Sequence, residues 1–299
     1  MPTAAPSLRI AVLGTGSMGS RVALRLCAAG HQVHLWNRSA AKAEALQPHG
    51  AKVHATPCAA VAHSDFILCT LEHGQAVSQV LFGMGEASAV HGLHAHSLWI
   101  DLTSLQPREA RDHASRLSER GMRYLDAPVS GGTVGAERGA LAIMVGGKAE
   151  DVAAAQPVFA ALGHATHVGP HGAGQLAKLA NQLIVGVTIG AVAEALLLCA
   201  KGGADMAKVR EAMRGGFADS PILQLHGQRM TARDFAPGAR MAVQLQDMHN
   251  ALATAEEIGF DAPVTRLLAQ LYADAVEHGL GALDHSGVFV ELASRNALQ

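Results

Sequence analysis

Short β-rich runs alternate with amphipathic helical runs through the first half of the chain, and no other feature restricts the fold as much. Arg9–Leu13, Gln32–Trp36, Asp65–Leu71 and Ser97–Leu102 read as strands ended by Gly, Asn or Thr. Ser17–Ala29, Ala40–Leu46, Gly74–Leu81 and Pro107–Arg120 follow them with helical spacing, and Met18, Val22 and Leu26 stand four apart in the first. Such alternation predicts a parallel sheet with helices on both faces. Tyr124–Val129 and Leu141–Val145 read as two more strands around the Gly-rich segment SGGTVGAERGA, and Ala149–Leu162 returns to helix.

The pattern changes near residue 170. Ala173–Ala200, Lys208–Arg214, Pro221–Gln228, Val243–Ile258 and Pro263–Glu277 are all helical, and no convincing strand remains. The expected architecture is therefore α/β: a Rossmann-type doubly wound domain over 1–168, then an all-α domain over 169–299 that starts with a long helix. The chain has 299 residues, 49% of them hydrophobic and 16% charged, enough to bury a core in each part. A formal charge of −2 supplies no basic field for nucleic acid. Cys27, Cys58, Cys69 and Cys199 lack C-x-x-C spacing and lie in apolar runs, so they read as reduced core thiols of a cytoplasmic protein. Met1–Ser7 shows no leader pattern. Leu183–Ala200 has the length of a membrane span with one charge, Glu194, but Lys178, Asn181, Gln182 and Lys201 flank it closely, so a buried helix of a soluble protein is expected.

Gly14-Thr15-Gly16-Ser17-Met18-Gly19 follows the first strand and opens the first helix. In a dinucleotide site the first glycine makes the turn, the second admits the pyrophosphate and the third lets helix and strand pack. The helix N-terminus then offers free N–H groups and a favourable dipole. No G-x-x-x-x-G-K-[ST] or G-x-S-x-G occurs, which disfavours P-loop nucleotide hydrolysis and a nucleophile elbow. After the second strand, where an acid would accept from the ribose of NAD, stands Asn37-Arg38-Ser39. A guanidinium there can pair with a 2′-phosphate, which favours NADP over NAD. Alternatively Arg38 is a solvated charge beside a helix capped by Asn37 or Ser39.

Two further groups bear on substrate. Lys178, Asn181 and Gln182 are spaced by three and four, hence on one helix face. A lysine alone on an apolar face is either a proton donor with a lowered pKa or an amine snorkelling to solvent. Ser130-Gly131-Gly132 is either an anion nest of backbone N–H groups or a flexible turn.

Taken together, G-x-G-x-M-G, DAPVSGG at Asp126–Gly132, IMVGG at Ile143–Gly147 and G-x-G-x-x-x-K from Gly172 to Lys178 resemble the β-hydroxyacid dehydrogenases, from about Arg9 to Leu292. KLANQ at Lys178–Gln182, Arg214-Gly215-Gly216 and Asp284-His285-Ser286 are most similar to the tartronate semialdehyde reductases among them. The resemblance implies hydride transfer from a nicotinamide, with Lys178 protonating the substrate carbonyl oxygen and Ser130, Gly131 and Gly132 holding its carboxylate. It implies substrate contacts for Asn181, Gln182 and Asp247, and puts Thr70, Leu71, Thr103 and Ser104 on the nicotinamide side. Two positions depart from the family. Gln246 replaces a lysine near cofactor and substrate, and Ala239 replaces a common phenylalanine eight residues before Asp247. A semialdehyde reductase acting on tartronate semialdehyde, succinic semialdehyde or glyoxylate is the expectation, with an imine reductase or a non-catalytic NADP-binding module as rivals.

His91, His94 and His96, and His164, His167 and His171, have no nearby Cys or repeated carboxylate and read as solvated, with no metal expected. The apolar long helix predicts burial against a second copy, giving a homodimer or homotetramer. No nucleic-acid or membrane partner is expected.

Overall fold

The computed structural model describes residues 7–298; Met1–Pro6, where most of the leader reading falls, and Gln299 lie outside the described residues. The described residues form two compact units, one up to Lys178 and one from Leu179.

In the first unit the strands are β1 (Arg9–Leu13), β2 (Gln32–Trp36), β3 (Lys52–Val53), β4 (Phe66–Cys69), β5 (Leu98–Asp101), β6 (Arg123–Asp126), β7 (Val129–Ser130), β8 (Leu141–Gly146) and β9 (Gly163–Gly169). The helices are α1 (Ser17–Ala28), α2 (Ala40–Glu44), α3 (Pro57–Val61), α4 (Gly74–Phe82), α5 (Pro107–Ser118), α6 (Gly132–Arg138) and α7 (Ala149–Leu162). The sheet order is β3-β2-β1-β4-β5-β6-β8-β7, with β9 paired to β8. Pairing is parallel from β3 through β6, and β8 runs antiparallel to β6 and β7.

Each central strand feeds two cores by alternation. Ile10, Val12, Leu68, Leu98 and Ile100 enter one face, while Ala11, Leu13, Ile67, Cys69 and Trp99 enter the other. Burial on both faces is why these strands read as continuous apolar runs in the sequence. The doubly wound α/β expectation therefore stands, and the order reverses between β1 and β4, the place where open sheets of this kind bind ligands.

Several local expectations are corrected. Tyr124–Val129 is not one strand: it divides into β6 and β7 across Ala127–Pro128, because Pro128 has no N–H to give a ladder. The Gly-rich segment is not merely a connector; α6 forms within it and ends at Gly139, whose φ is +65°. β3 and α3 are too short, and β9 too poor in apolar residues, to show a period. Of the four cysteines only Cys69 is fully buried, and all four are free thiols.

Helix α8 (Ala173–Lys201) begins in the first unit. The second unit continues with α9 (Met206–Ala212), α10 (Pro221–Ala232), α11 (Met241–Glu257), α12 (Pro263–Ala275) and α13 (Val288–Arg295), the last of which has no counterpart in the sequence reading. Its core gathers Ile189, Leu196, Met230, Met248, Tyr272 and Phe289. By length and composition α8 could cross a membrane, yet 39% of its most apolar stretch is buried within the protein. That is less burial than a core helix implies: Ile184 is 66% and Leu198 73% exposed.

A polar knot lies in this apolar unit. Asp284, 1% exposed, accepts from the N–H groups of Gly238, Ala239 and Ser286 and from the Ser286 hydroxyl, and pairs with Arg229 at 3.0 Å. His226, Asp284 and His285 bring three potential metal-ligand atoms within 4.8 Å of one another, a grouping no sequence spacing suggested. The carboxylate is already saturated by N–H and O–H donors and a guanidinium, so the knot serves as a tie between α10 and the turn before α13.

Candidate active site

The Gly14–Gly19 turn sits at the carboxyl end of β1, as its spacing predicts. Gly14 has φ +97°, and a Cβ there would meet Thr70 O at 2.6 Å. A Cβ on Gly19 would meet Gly14 O at 2.0 Å, so only glycine lets α1 start this close to the strand. Gly16 faces open space, with nothing within 4 Å of a Cβ. It leads into the first turn of α1, which has neither a side-chain cap nor an acid. The buried Thr15 hydroxyl has no partner. Uncapped N–H groups, an open glycine and an unused hydroxyl fit a dinucleotide pyrophosphate.

Asn37 is engaged: its Oδ1 accepts from Thr15 N at 2.9 Å and its Nδ2 donates to Ser39 O at 2.9 Å. It thus locks the phosphate turn to the segment after β2. Ser39 occupies the N-cap position of α2 but makes no side-chain capping bond, and Arg38 and Ser39 are exposed. The capping alternative therefore fails for Ser39, and its hydroxyl stays available beside Arg38.

The ends of the next strands are tied to this turn in sequence. Thr70 Oγ1 donates to Gly14 O at 2.6 Å, and Leu71 N donates to Thr103 Oγ1 at 3.1 Å. Thr103 N in turn donates to Asp101 Oδ1 at 3.0 Å. Burial pushes the Asp101 carboxyl up to about 7, although Thr103 donates to it and favours its charged form. Ser104, the fourth residue expected here, is exposed between Thr103 and Leu105, both buried.

On the substrate side, Lys178 Nζ donates to Val129 O at 2.9 Å. The amine is half-buried and held against β7, directly before Ser130-Gly131-Gly132, so it does not simply snorkel to solvent. Gly131 and Gly132 have φ +127° and +61°, and both are exposed where α6 begins. A cation beside exposed backbone N–H groups suits a small carboxylate that also presents a carbonyl oxygen.

The placement of Lys178 comes from the start of its helix. Asp126 Oδ1 accepts from Gly172 N at 2.8 Å and Oδ2 from Gln175 N at 3.0 Å, capping α8. A Cβ at Gly174 would meet Met144 O at 2.4 Å, so the helix starts pressed against β8. Burial raises the Asp126 carboxyl while these two N–H groups favour its charged form. Gln175 completes the arrangement, receiving Leu105 N at 2.9 Å and donating to Thr103 O at 2.8 Å. Sequence reasoning assigned no role to Asp126 or Gln175. A polar residue one turn before Lys178 on the same face was the available signal for Gln175.

In the second unit, Asn181 Nδ2 donates to Gln182 Oε1 at 2.9 Å and Gln182 Nε2 to Asp247 Oδ2 at 2.5 Å. Three residues expected at the substrate are thus linked. Gln246 is exposed and donates to Asn250 Oδ1 at 3.0 Å along α11, and Ala239 is exposed. The two histidine groups divide: His91, His96, His164 and His167 are exposed, whereas His94 and His171 are half-buried, a correction to the reading of both groups as solvated.

Known proteins share both parts of the chain. Residues 9–169 match the family described as the NAD binding domain of 6-phosphogluconate dehydrogenase, and residues 172–292 that described as NAD-binding of NADP-dependent 3-hydroxyisobutyrate dehydrogenase. The 2-hydroxy-3-oxopropionate reductase of Escherichia coli (strain K12) is 38% identical over 94% of this chain and 96% of that protein. The 3-hydroxyisobutyrate dehydrogenase of Pseudomonas aeruginosa is 32% identical, over 91% of this chain and 95% of its own. Among solved structures, Mycobacterium tuberculosis 3-hydroxyisobutyrate dehydrogenase with L-serine is similar at a TM-score of 0.87 and 29% identity, covering 96% of this chain and 99% of that one.

Proposed function

The chain belongs to the 3-hydroxyisobutyrate dehydrogenase-like family of β-hydroxyacid dehydrogenases, and from that premise we propose that it reduces short semialdehydes with NADPH. Tartronate semialdehyde leads the substrate list, with succinic semialdehyde and glyoxylate behind it. The observation that carries the reading is the Lys178 amine held 2.9 Å from Val129 O, beside Ser130-Gly131-Gly132.

When bound, the dinucleotide supplies the hydride. The Gly14–Gly19 turn, with Thr15, Ser17 and Met18, holds the pyrophosphate, and Arg38 and Ser39 take the 2′-phosphate. Thr70, Leu71, Thr103 and Ser104 border the nicotinamide. Ser130, Gly131 and Gly132 bind the substrate carboxylate and orient the adjacent carbonyl toward Lys178. The amine then gives its proton to the carbonyl oxygen, so that no free alkoxide forms. In the second unit Asn181, Gln182 and Asp247 are assigned to the substrate, and Gln246 to the cofactor in place of the family lysine.

The test is NADPH and NADH oxidation over a panel of semialdehydes, with Lys178→Ala alongside. Loss of about 10³-fold in kcat with NADPH binding retained is expected. Unimpaired turnover by Lys178→Ala would remove the lysine from the mechanism, and no turnover on any substrate would favour a binding module. The apolar residues left open on α8 support self-association as a dimer or tetramer. Sedimentation giving only monomer at micromolar concentration would contradict it.

A further inference from the structure

Gln175 is 0% exposed, and a buried carboxamide is costly unless both its ends are paired. Here both ends go to one short turn: Oε1 accepts from Leu105 N at 2.9 Å and Nε2 donates to Thr103 O at 2.8 Å. These two backbone groups flank Ser104, so the side chain grips the turn on either side of its exposed residue. The Gln175 backbone N–H is held by Asp126 at 3.0 Å. Lys178 lies three residues further along the same helix, on the same face.

A series of hydrogen bonds, joined by short stretches of backbone, therefore runs from the phosphate turn to Gln175, one helical turn before the proton-donating amine. It passes from Gly14 O through Thr70 to the adjoining Leu71 N–H, on through Thr103 Oγ1 and Thr103 O, and then to Gln175 and the first turns of α8. A leucine or methionine would fill the same volume but would leave Thr103 O and Leu105 N without partners. Packing does not require the carboxamide; fixing α8 against the Thr103–Leu105 turn does.

We infer that Gln175 is a positioning residue, setting the Lys178 amine in register with the strand-end turns that border the nicotinamide. The inference rests on the reading of Lys178 as proton donor given above. Hydride and proton must reach the two ends of one carbonyl bond, so a shift of α8 by a fraction of an ångström costs rate without costing cofactor binding.

Gln175→Met, Gln175→Glu and Lys178→Met are compared with the unaltered enzyme, using NADPH and tartronate semialdehyde. For Gln175→Met, kcat falls about 10- to 100-fold and the solvent deuterium isotope effect on kcat rises, while the NADPH Kd stays within about twofold. A purely structural role would lower the melting temperature and leave kcat per folded enzyme and the isotope effect unchanged, and that result overturns the inference. In Gln175→Glu, the protonated carboxyl donates to Thr103 O and accepts from Leu105 N as the carboxamide does. Its activity relative to the unaltered enzyme is therefore near normal at about pH 5.5 and falls as pH rises and the buried acid ionises. A flat ratio across pH overturns the inference even where Gln175→Met does not fold. If Lys178→Met retains kcat, the proton-donor reading itself fails; if Lys178→Met is inactive and Gln175→Met is normal, only the role of Gln175 fails.

Discussion

The two units each bury an aspartate almost completely and treat it in opposite ways. Asp101, 0% exposed, ends β5 in the first unit; Asp284, 1% exposed, precedes α13 in the second. Burial pushes the Asp101 carboxyl up to about 7, with Thr103 and the Trp99 indole too few to offset it and the Tyr124 hydroxyl distant at 3.4 Å. Burial acts on Asp284 in the same sense, but His226, Ser286 and the Ala239 N–H, with His285 nearby, hold it well below the usual carboxylate range. Desolvation is common to both sites, and the number of donors aimed at the oxygens decides the outcome. The first unit sets Asp101, Thr103 and Asp126 at strand ends, beside the proposed cofactor and proton-donor residues. The second spends its buried polar groups on holding apolar helices together.

Lys178→Ala probes one side of that contrast most strongly, with about 10³-fold lost in kcat and little change in the urea midpoint. A large stability loss there would blur the division between the units. Asp284→Ala probes the other side. It strands Arg229 and the surrounding N–H groups, so unfolding free energy should drop by about 3–5 kcal/mol in denaturant titrations. A loss under about 1 kcal/mol would mean that the knot is ornamental rather than a tie.

The titration signs differ as well. An acid whose folded pKa is raised binds its proton more tightly folded than unfolded, so Asp101 costs stability progressively as pH climbs from about 4 to about 7. Asp101→Asn keeps an acceptor for Thr103 N and removes that cost. Relative to the unaltered protein it should gain on the order of 3 kcal/mol at pH 8 and almost nothing near pH 4, as read by melts across pH. A pH-independent difference would break the argument. Asp284 has the reverse sign: its contribution is full above the unfolded carboxyl pKa of about 4 and fades only in stronger acid. The smallest effect falls on cofactor choice. Arg38→Ala should raise the KM for NADPH about 10- to 100-fold and leave NADH unchanged, and an equal change for both would remove the 2′-phosphate from its role.

What the sequence disclosed was whatever lay close along the chain. β1, the Gly14–Gly19 turn and α1 fall within 20 consecutive residues, and their apolar spacing and glycines declare themselves. Lys178 showed because a charge interrupts an apolar helix. By contrast, Gln175 meets Thr103 across 72 positions and Asp126 across 49. His226 and Asp284 are equally remote, and only folding brings such groups together. β9 stayed hidden because GHATHVG has almost no apolar period, and its pairing with β8 supplies what its side chains do not. The division of Tyr124–Val129 was legible in principle at Pro128.

The margins of the large sheet have a consequence for solubility. β3 is two residues long and carries exposed Lys52. At the opposite margin β9 exposes His164, Thr166 and His167, and its register with β8 slips at Val145/Gly146. Neither end offers the long, flat, greasy ribbon that recruits a foreign strand, so a chain this rich in apolar residues can keep its strands to itself while it folds.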